Sequence, residues 1–247
     1  MELAFKVTSA MKDVPMHYCP GCTHGIVHRM VAEVLDELKI RERSVGVAPV
    51  GCAVLIYNYI NTDFMEAPHG RAPALATGAK RARPDMIVYT YQGDGDLASI
   101  GFNEIFHAAN RGEKITVIFI NNGIYGMTGG QMAPTTLPGQ VTTTSPDGRD
   151  VSQTGYPVSV SEALATQTTP GFIVRCSTHD SIHQIKTKKL IRQAFQNQID
   201  NRCFSLVEIL STCPTNWGMT PQQSLEHVRD NTMQHYKLGI LKSPEGE

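Results

Sequence analysis

The sequence has no long apolar run. Its most hydrophobic stretch, Ile115 to Ile120, is about six residues long and is interrupted by Thr116, against the roughly 18–20 that a membrane span requires. No membrane association is expected. The N-terminal string MELAFKVTSAMKDVPMHYC lacks the sustained hydrophobic region and small-residue cleavage site of a secretory signal, so a cytoplasmic location is expected. An excess of one charge sign is also missing. With 22 Lys+Arg against 23 Asp+Glu, the net charge is −1, which gives no electrostatic case for a nucleic-acid partner. Cysteine is sparse: six in 247 residues cannot make a disulfide scaffold, and a reducing compartment would keep them as thiols. What is present, 41% hydrophobic and 18% charged residues, supports a packed core and excludes disorder for most of the chain. No internal repeat or linker divides it, and a single domain over residues 1–247 is expected.

Apolar residues at Val27, Met30, Val31, Val34 and Leu38 repeat at helical spacing and predict a helix over 25–38. A strand over 44–50 should deliver Gly51-Cys52 to a loop. His69-Gly70-Arg71 opens an Ala-rich stretch that Pro84 closes, which reads as a short helix. The clearest unit is a strand from Met86 to Tyr91, the turn Gly93-Asp94-Gly95-Asp96, a helix carrying Phe102, Ile105, Phe106 and Ala109, and a strand from Ile115 to Ile120 that ends at Asn121-Asn122. Strand, helix, strand with short connections is a right-handed βαβ unit in a parallel sheet, and ligands bind at the C-terminal ends of such strands. Residues 126–157, rich in Gly, Pro, Thr and Ser, form a long loop of the kind that is functional or covered by a partner. A strand over 172–176, a helix over 181–198 and a last strand over 204–210 continue the alternation. The polar tail over about 219–247 reads as an arm that packs against another chain.

Asp94 and Asn122 fall on the ends of neighbouring strands, where their oxygens suit a hard cation such as Mg²⁺, which takes oxygen ligands together with a substrate phosphate. The flanking glycines would let backbone N–H groups approach phosphate oxygens, and a helix beginning near Leu97 would aim its positive end there. Alone, each motif could be an ordinary turn. The whole string GDGDLASIGFNEIFHAANRGEKITVIFINNGIYGMTGGQ resembles the thiamine-diphosphate signature. That resemblance implies Mg²⁺ held by Asp94, Asn122 and the carbonyl of Ile124.

Four cysteines remain after Cys176 and Cys203, which lie among apolar residues and read as small buried hydrophobes. Cys19-Pro-Gly-Cys22 has a spacing common to zinc and iron–sulfur sites. A redox pair would normally follow a strand, which CPGC does not. Cys52 and Cys213 lie just beyond strand ends, on the same rim as the Asp94 site. Sequence spacing leaves zinc and a [4Fe–4S] cluster equally open.

CPGC near the start, a strand ending in Gly-Cys, the thiamine signature with YGMTGGQ, and a late Cys-Pro-Thr together resemble the β subunit of 2-oxoacid:ferredoxin oxidoreductases, of the branched-chain 2-oxoacid or 2-oxoglutarate type, over about residues 15–218. The resemblance implies a three-layer parallel-sheet α/β fold of the thiamine-diphosphate (pyrophosphate-binding) type. It further implies a [4Fe–4S] cluster on Cys19, Cys22, Cys52 and Cys213. The cofactor would be walled by Val50, Gly51, Cys52 and Ala53, by His69 and Gly70, by Gly93, Asp94, Gly95 and Asp96, by Asn122, and by Gly126, Met127 and Thr128. Many relatives have Gly after the second cysteine of CPGC, where this chain has Thr23. Thiamine enzymes need a Glu against the aminopyrimidine ring, and neither Glu66 nor Glu104 occupies a matching position. An α subunit is therefore expected to carry that group, with a γ or ferredoxin-like δ subunit to relay electrons to ferredoxin, and a 2-oxo acid and coenzyme A as substrates. Two other readings are a non-oxidative thiamine-dependent decarboxylase, which has no use for four cysteines, and a zinc-stabilised structural subunit without cofactor.

Overall fold

In a computed structural model of the chain, which describes residues 6–244, helical spacing builds α1 (His24–Glu37) and extended runs build β1 (Ser44–Ala48) and β2 (Asp63–Glu66). Next come α2 (Ala72–Ala82), β3 (Ile87–Gly93), one wide π-helical turn (Gly95–Ile100), α3 (Phe102–Asn110) and β4 (Thr116–Asn121). The long loop contains the short β5 (Ile124–Tyr125), β6 (Gln131–Met132) and α4 (Val151–Thr154). It leads through α5 (Val160–Ala165), β7 (Gly171–Ser177), α6 (Ser181–Ile199) and β8 (Phe204–Leu210). The chain closes with α7 (Pro214–Trp217), α8 (Pro221–His227) and β9 (Gly239–Lys242). The outer ends of the expected 1–247 domain and 219–247 arm lie outside the described residues.

Seven strands form one sheet in the order β2-β1-β3-β4-β8-β7-β9, parallel except for β9, which runs antiparallel to β7. Because side chains alternate across a strand, each central strand feeds two cores. Tyr89, Tyr91, Ile118, Ile120, Val207 and Ile209 pack on one face with residues of α1 and α6. Val88, Val117, Phe119 and Leu206 pack on the other with residues of α2, α3 and α5. The result is the expected three-layer arrangement, and it carries the C-terminal ends of β1, β3, β4 and β8 to one rim. No helix among the described residues is long and apolar enough to cross a membrane.

Several boundaries differ from the sequence reading, each for a local reason. β1 stops at Ala48, leaving Val50 to Cys52 in the rim loop. β3 runs on to Gly93, so the first glycine of Gly-Asp-Gly-Asp belongs to the strand. The helix expected near Leu97 begins at Gly95, where the Asp94 carboxylate accepts the Gly95 N–H at 2.9 Å and caps it. The polar arm is not extended over its described residues. It folds back as α8 and β9, with Tyr236 buried against Leu210 and Val228 and its hydroxyl donating to the Thr135 carbonyl at 3.1 Å. Its few apolar residues are spaced without a period, so no pattern marked that return. The 126–157 loop is likewise held from within. The buried Arg149 guanidinium donates to the carbonyls of Pro134, Thr136, Gly155 and Tyr156 at 2.6–3.1 Å.

The sheet also holds a buried charge network. The fully buried Arg175 on β7 donates to Glu208 on β8 at 2.8 Å and to Glu162 on α5, and Glu208 also accepts from Asn121 on β4 at 2.7 Å. Two carboxylates raise the Arg175 pKa against the opposing effect of burial. Removing one partner of such a pair leaves an unpaired buried charge. Arg175→Met is therefore expected to lower stability by about 3–5 kcal/mol. Urea unfolding at pH 7 measures it, and a loss under about 1 kcal/mol would mean the network carries little.

Candidate active site

The loops after β1, β3 and β4 surround a cleft of about 160 Å³. From the first come Val50, Gly51, Cys52 and Ala53, from the third Asn122, Ile124, Gly126, Met127 and Thr128, and between them Gly93 to Asp96 with His69. Of the wall residues named above all but Gly70, whose N–H instead donates to Asp96 at 2.9 Å, line this cleft, whereas of the string Thr128-Gly129-Gly130-Gln131, also expected in the cofactor or substrate wall, only Thr128 does. His24, Pro49 and Tyr125 also line it and were not expected. Neither Glu66 nor Glu104 does, and Glu104 pairs with Arg71.

Asp94 sits at the base, 2% exposed. Its Oδ1 accepts from Gly95 N–H at 2.9 Å, and its Oδ2 accepts from Gly123 N–H at 2.7 Å and from the Thr135 hydroxyl. Burial pushes its pKa up to about 6 despite these three donors. Asn122 stands on the adjacent strand end, with its Oδ1 accepting from Ile124 N–H at 3.3 Å. Asp94, Asn122 and Ile124 all line this part of the cleft, and a carboxylate, an amide oxygen and a main-chain carbonyl are the kinds of oxygen donor that Mg²⁺ takes. The charge that burial makes costly is the charge that a cation would neutralise.

Asp96 carries one donor more than Asp94. Its Oδ1 accepts from His69 Nδ1 at 2.6 Å, from Gly70 N–H and from Val50 N–H at 3.2 Å, and its Oδ2 accepts from Gln92 at 2.7 Å. It therefore ties three rim loops together, and its oxygens are engaged by protein donors. The glycines also divide. A Cβ on Gly93 would meet nothing within 4 Å and would occupy the open cleft, whereas one on Gly95 would lie 2.3 Å from the Tyr125 ring. Gly95 is thus required by packing and Gly93 leaves room for a ligand.

The four cysteines converge beside this cleft. A Cβ on Gly126 would lie 2.9 Å from Cys52 Sγ and 3.6 Å from Cys213 Sγ, so two of the sulfurs adjoin the wall that Gly126 provides. Thr23 joins the other pair to them. Its hydroxyl bonds Ser211 at 2.5 Å and accepts from Thr212 N–H at 3.3 Å, while the Thr212 hydroxyl donates to the Gly21 carbonyl at 2.7 Å. The departure at Thr23 is therefore structural, docking the CPGC turn on the Cys213 segment. Burial, with neighbouring thiols adding to it, pushes Cys22 up to about 12, Cys52 up to about 11 and Cys213 upward. Cys176 and Cys203 are buried in the main core, as expected.

Residues 49–209 match the family described as thiamine pyrophosphate enzyme, C-terminal TPP binding domain. Among curated proteins, the ketoisovalerate oxidoreductase subunit VorA of Methanothermobacter thermautotrophicus is 52% identical over 231 residues, which is 94% of this chain and 48% of that protein. The 2-oxoglutarate synthase subunit KorB of Methanocaldococcus jannaschii is 35% identical over 94% of this chain and 84% of its own length. The chain belongs to the thiamine pyrophosphate enzymes, among the subunits of 2-oxoacid:ferredoxin oxidoreductases. A solved 2-oxoglutarate:ferredoxin oxidoreductase from Magnetococcus marinus, with 2-oxoglutarate, coenzyme A and succinyl-CoA bound, superposes with a TM-score of 0.77 at 28% identity, covering 92% of this chain and 73% of that one. The chain spans about half the length of the first curated relatives.

The matched segment, residues 49–209, contains most of the cleft at the β1, β3 and β4 ends. Sequence reasoning missed its supporting groups. Thr135, Gln92 and Asn216 carry no motif of their own, and each is identified only by what it touches across the fold. Another such group is a cage of imidazoles and phenols next to the cysteines. Tyr18 bonds His28 at 2.7 Å and His24 bonds Tyr91 at 2.9 Å. His28 is fully buried, and burial holds its pKa well below the usual value of 6.5. A base neutral when folded but protonated when unfolded stabilises the fold above pH 6.5 and loses that contribution as pH falls below it. Stability of the cofactor-free chain is expected to fall by up to about 1.4 kcal/mol per pH unit from this one residue between pH 6.5 and 5. Urea midpoints at several pH values should show the slope reduced in His28→Gln, and an unchanged slope would remove His28 as the cause.

Proposed function

We propose that this chain is the subunit of a 2-oxoacid:ferredoxin oxidoreductase that carries thiamine diphosphate, Mg²⁺ and a [4Fe–4S] cluster. The reaction converts a 2-oxo acid, coenzyme A and two oxidised ferredoxins into acyl-coenzyme A, CO₂, two reduced ferredoxins and one proton. The cofactor supplies the electron sink for decarboxylation. This chain's residues would hold it: Asp94, Asn122 and the Ile124 carbonyl through Mg²⁺, with Gly93 leaving space for the diphosphate. The observation that carries an oxidative rather than a plain decarboxylating reading is the shared wall. Gly126 lines the cofactor cleft and adjoins both Cys52 and Cys213, so electrons leaving the cofactor have an acceptor at hand.

The sulfur spacing favours a cluster over zinc. Among the described residues, the only trio of metal-type donor atoms lying within 4.8 Å of one another is His179, Asp180 and His183, so no three of these four sulfurs do. Tetrahedral zinc, with bonds of about 2.3 Å, would draw its sulfurs to about 3.8 Å apart. Cys22, Cys52 and Cys213, whose thiols burial pushes upward, would bind such a metal as thiolates.

The cleft's only acids among its described lining are Asp94 and Asp96, both already engaged, which supports an α subunit supplying the pyrimidine-side Glu. A γ or ferredoxin-like δ subunit would pass electrons outward, and the complex would work in the cytoplasm. The greater identity to ketoisovalerate oxidoreductase subunits than to 2-oxoglutarate synthase subunits favours a branched-chain 2-oxo acid. Anaerobic purification with co-purifying partners, followed by iron, sulfide and thiamine analysis, tests the proposal. About four irons and one thiamine per chain are expected, with visible absorption bleached by 2-oxoisovalerate plus coenzyme A. Thiamine without iron would indicate the non-oxidative decarboxylase, and zinc without thiamine the structural subunit.

A further inference from the structure

Asn216 stands between the two halves of this site without belonging to either motif. It lies one helical turn beyond Cys213, in the short α7, and is half-buried. Its Nδ2 donates to Cys213 Sγ at 3.3 Å and to the Gly126 carbonyl at 3.0 Å. Both hydrogens of one amide are thus directed at the cluster side and the cofactor side of the same wall. The amide orientation is fixed by chemistry, because turning it over would set its oxygen against a sulfur and a carbonyl, both acceptors. Its oxygen side faces Gly130, where a Cβ would lie 3.1 Å from Oδ1 and 3.2 Å from the Asn216 Cβ. Gly130, in the left-handed region at φ +86°, therefore makes the space in which Asn216 sits.

Hydrogen bonds to ligand sulfurs are among the factors that set the reduction potential of an iron–sulfur centre. The reason is electrostatic: a donated N–H withdraws electron density from the thiolate and stabilises the more negative, reduced state. We propose that Asn216 is a positioning residue that raises the reduction potential of the cluster through its bond to Cys213 and fixes the cluster against the cofactor wall through its bond to Gly126. This inference rests on the cluster assigned above. Its consequence is directional. With Asn216 in place, the cluster accepts electrons from the cofactor side more readily than the four cysteines alone would allow.

The test uses the whole complex, purified anaerobically, with Asn216→Ala and Asn216→Asp. The cluster's midpoint potential is read by an EPR-monitored redox titration, alongside iron and thiamine content. With iron retained, the midpoint should move to more negative values in Asn216→Ala, by a tenfold change in the reduced-to-oxidised ratio, or about 59 mV for one electron. It should move further in Asn216→Asp, where a carboxylate replaces the donor. Wild-type potentials in both variants would overturn the proposal while leaving the cluster assignment intact. Loss of iron from both variants would also overturn it, since Asn216 would then be required for assembly and not for tuning. A wild-type complex without iron would instead bring down the functional reading on which the inference stands.

Discussion

Asp94→Ala will abolish retention of thiamine diphosphate through purification and lower its Mg²⁺-dependent affinity by more than about 100-fold. Groups that merely support a metal ligand cost 10–100-fold when mutated, and Asp94 is assigned as the ligand itself. It is the one carboxylate of the proposed Mg²⁺ set and lies 2% exposed. Its oxygens also hold the loops together, accepting from Gly95, Gly123 and Thr135. Alanine therefore removes both the charge that attracts the cation and the post that fixes the Asn122–Ile124 turn beside it. Asp94→Asn separates the two effects: it keeps the shape and part of the hydrogen bonding and loses the charge. If charge is what matters, the asparagine variant binds nearly as poorly as alanine. Tryptophan fluorescence or calorimetric titration with thiamine diphosphate at saturating Mg²⁺ measures this, and circular dichroism confirms that the variants are folded. Affinity within a few-fold of wild type in Asp94→Asn would remove Asp94 from the metal site.

How far this site could be read from sequence depends on how local its determinants are. Asp94 and Asn122 were legible because a βαβ unit fixes where its two strands end, and the register Gly93↔Ile120 places those ends side by side. The cysteines were legible as types and as rim positions. What the sequence could not contain was their common wall, because Cys52 and Cys213 reach Gly126 from loops remote in the chain. Thr23 illustrates the limit. In sequence it is only a departure from the Gly of many relatives, and the fold alone reveals that it bonds Ser211, 188 positions away. Asp96 shows the same limit: it sits within the signature and lines the cleft, and only the fold reveals that its oxygens bind His69, Gly70, Val50 and Gln92. The C-terminal return escaped because β9 forms an edge strand, half exposed and only four residues long, and such a segment has no alternation strong enough to separate from a polar tail.

On the proposed assignment, Cys52→Ser and Cys213→Ser will each cost the protein the proposed four-iron cluster, with the visible absorption and the proposed electron transfer to ferredoxin lost together. Serine is close to isosteric with cysteine, so the change is one of ligand and not of volume. The expectation is sharpened by a control within the same chain. Cys203 is fully buried and Cys176 nearly so, both packed in the core on the α1–α6 face, and burial likewise pushes Cys176 up to about 12. If thiol burial alone accounted for the raised pKa values of Cys22 and Cys52, all of these residues would be small hydrophobes, and Cys52→Ser would resemble Cys203→Ser: some loss of stability and full iron. If the rim thiols are ligands, the two classes part. Cys203→Ala keeps its iron while losing stability through the cavity left behind, whereas Cys52→Ser loses iron. Iron analysis and the visible spectrum of the anaerobically purified variants decide between them. Equal iron in Cys52→Ser and Cys203→Ala would return Cys52 to the packing class. The thiamine content of Cys52→Ser then carries its own information: because the residue also lines the cofactor cleft, retention of thiamine with loss of iron would uncouple the two halves of the site. That variant would keep the cofactor while lacking its electron acceptor, and release of aldehyde in place of acyl-coenzyme A is the expected product change.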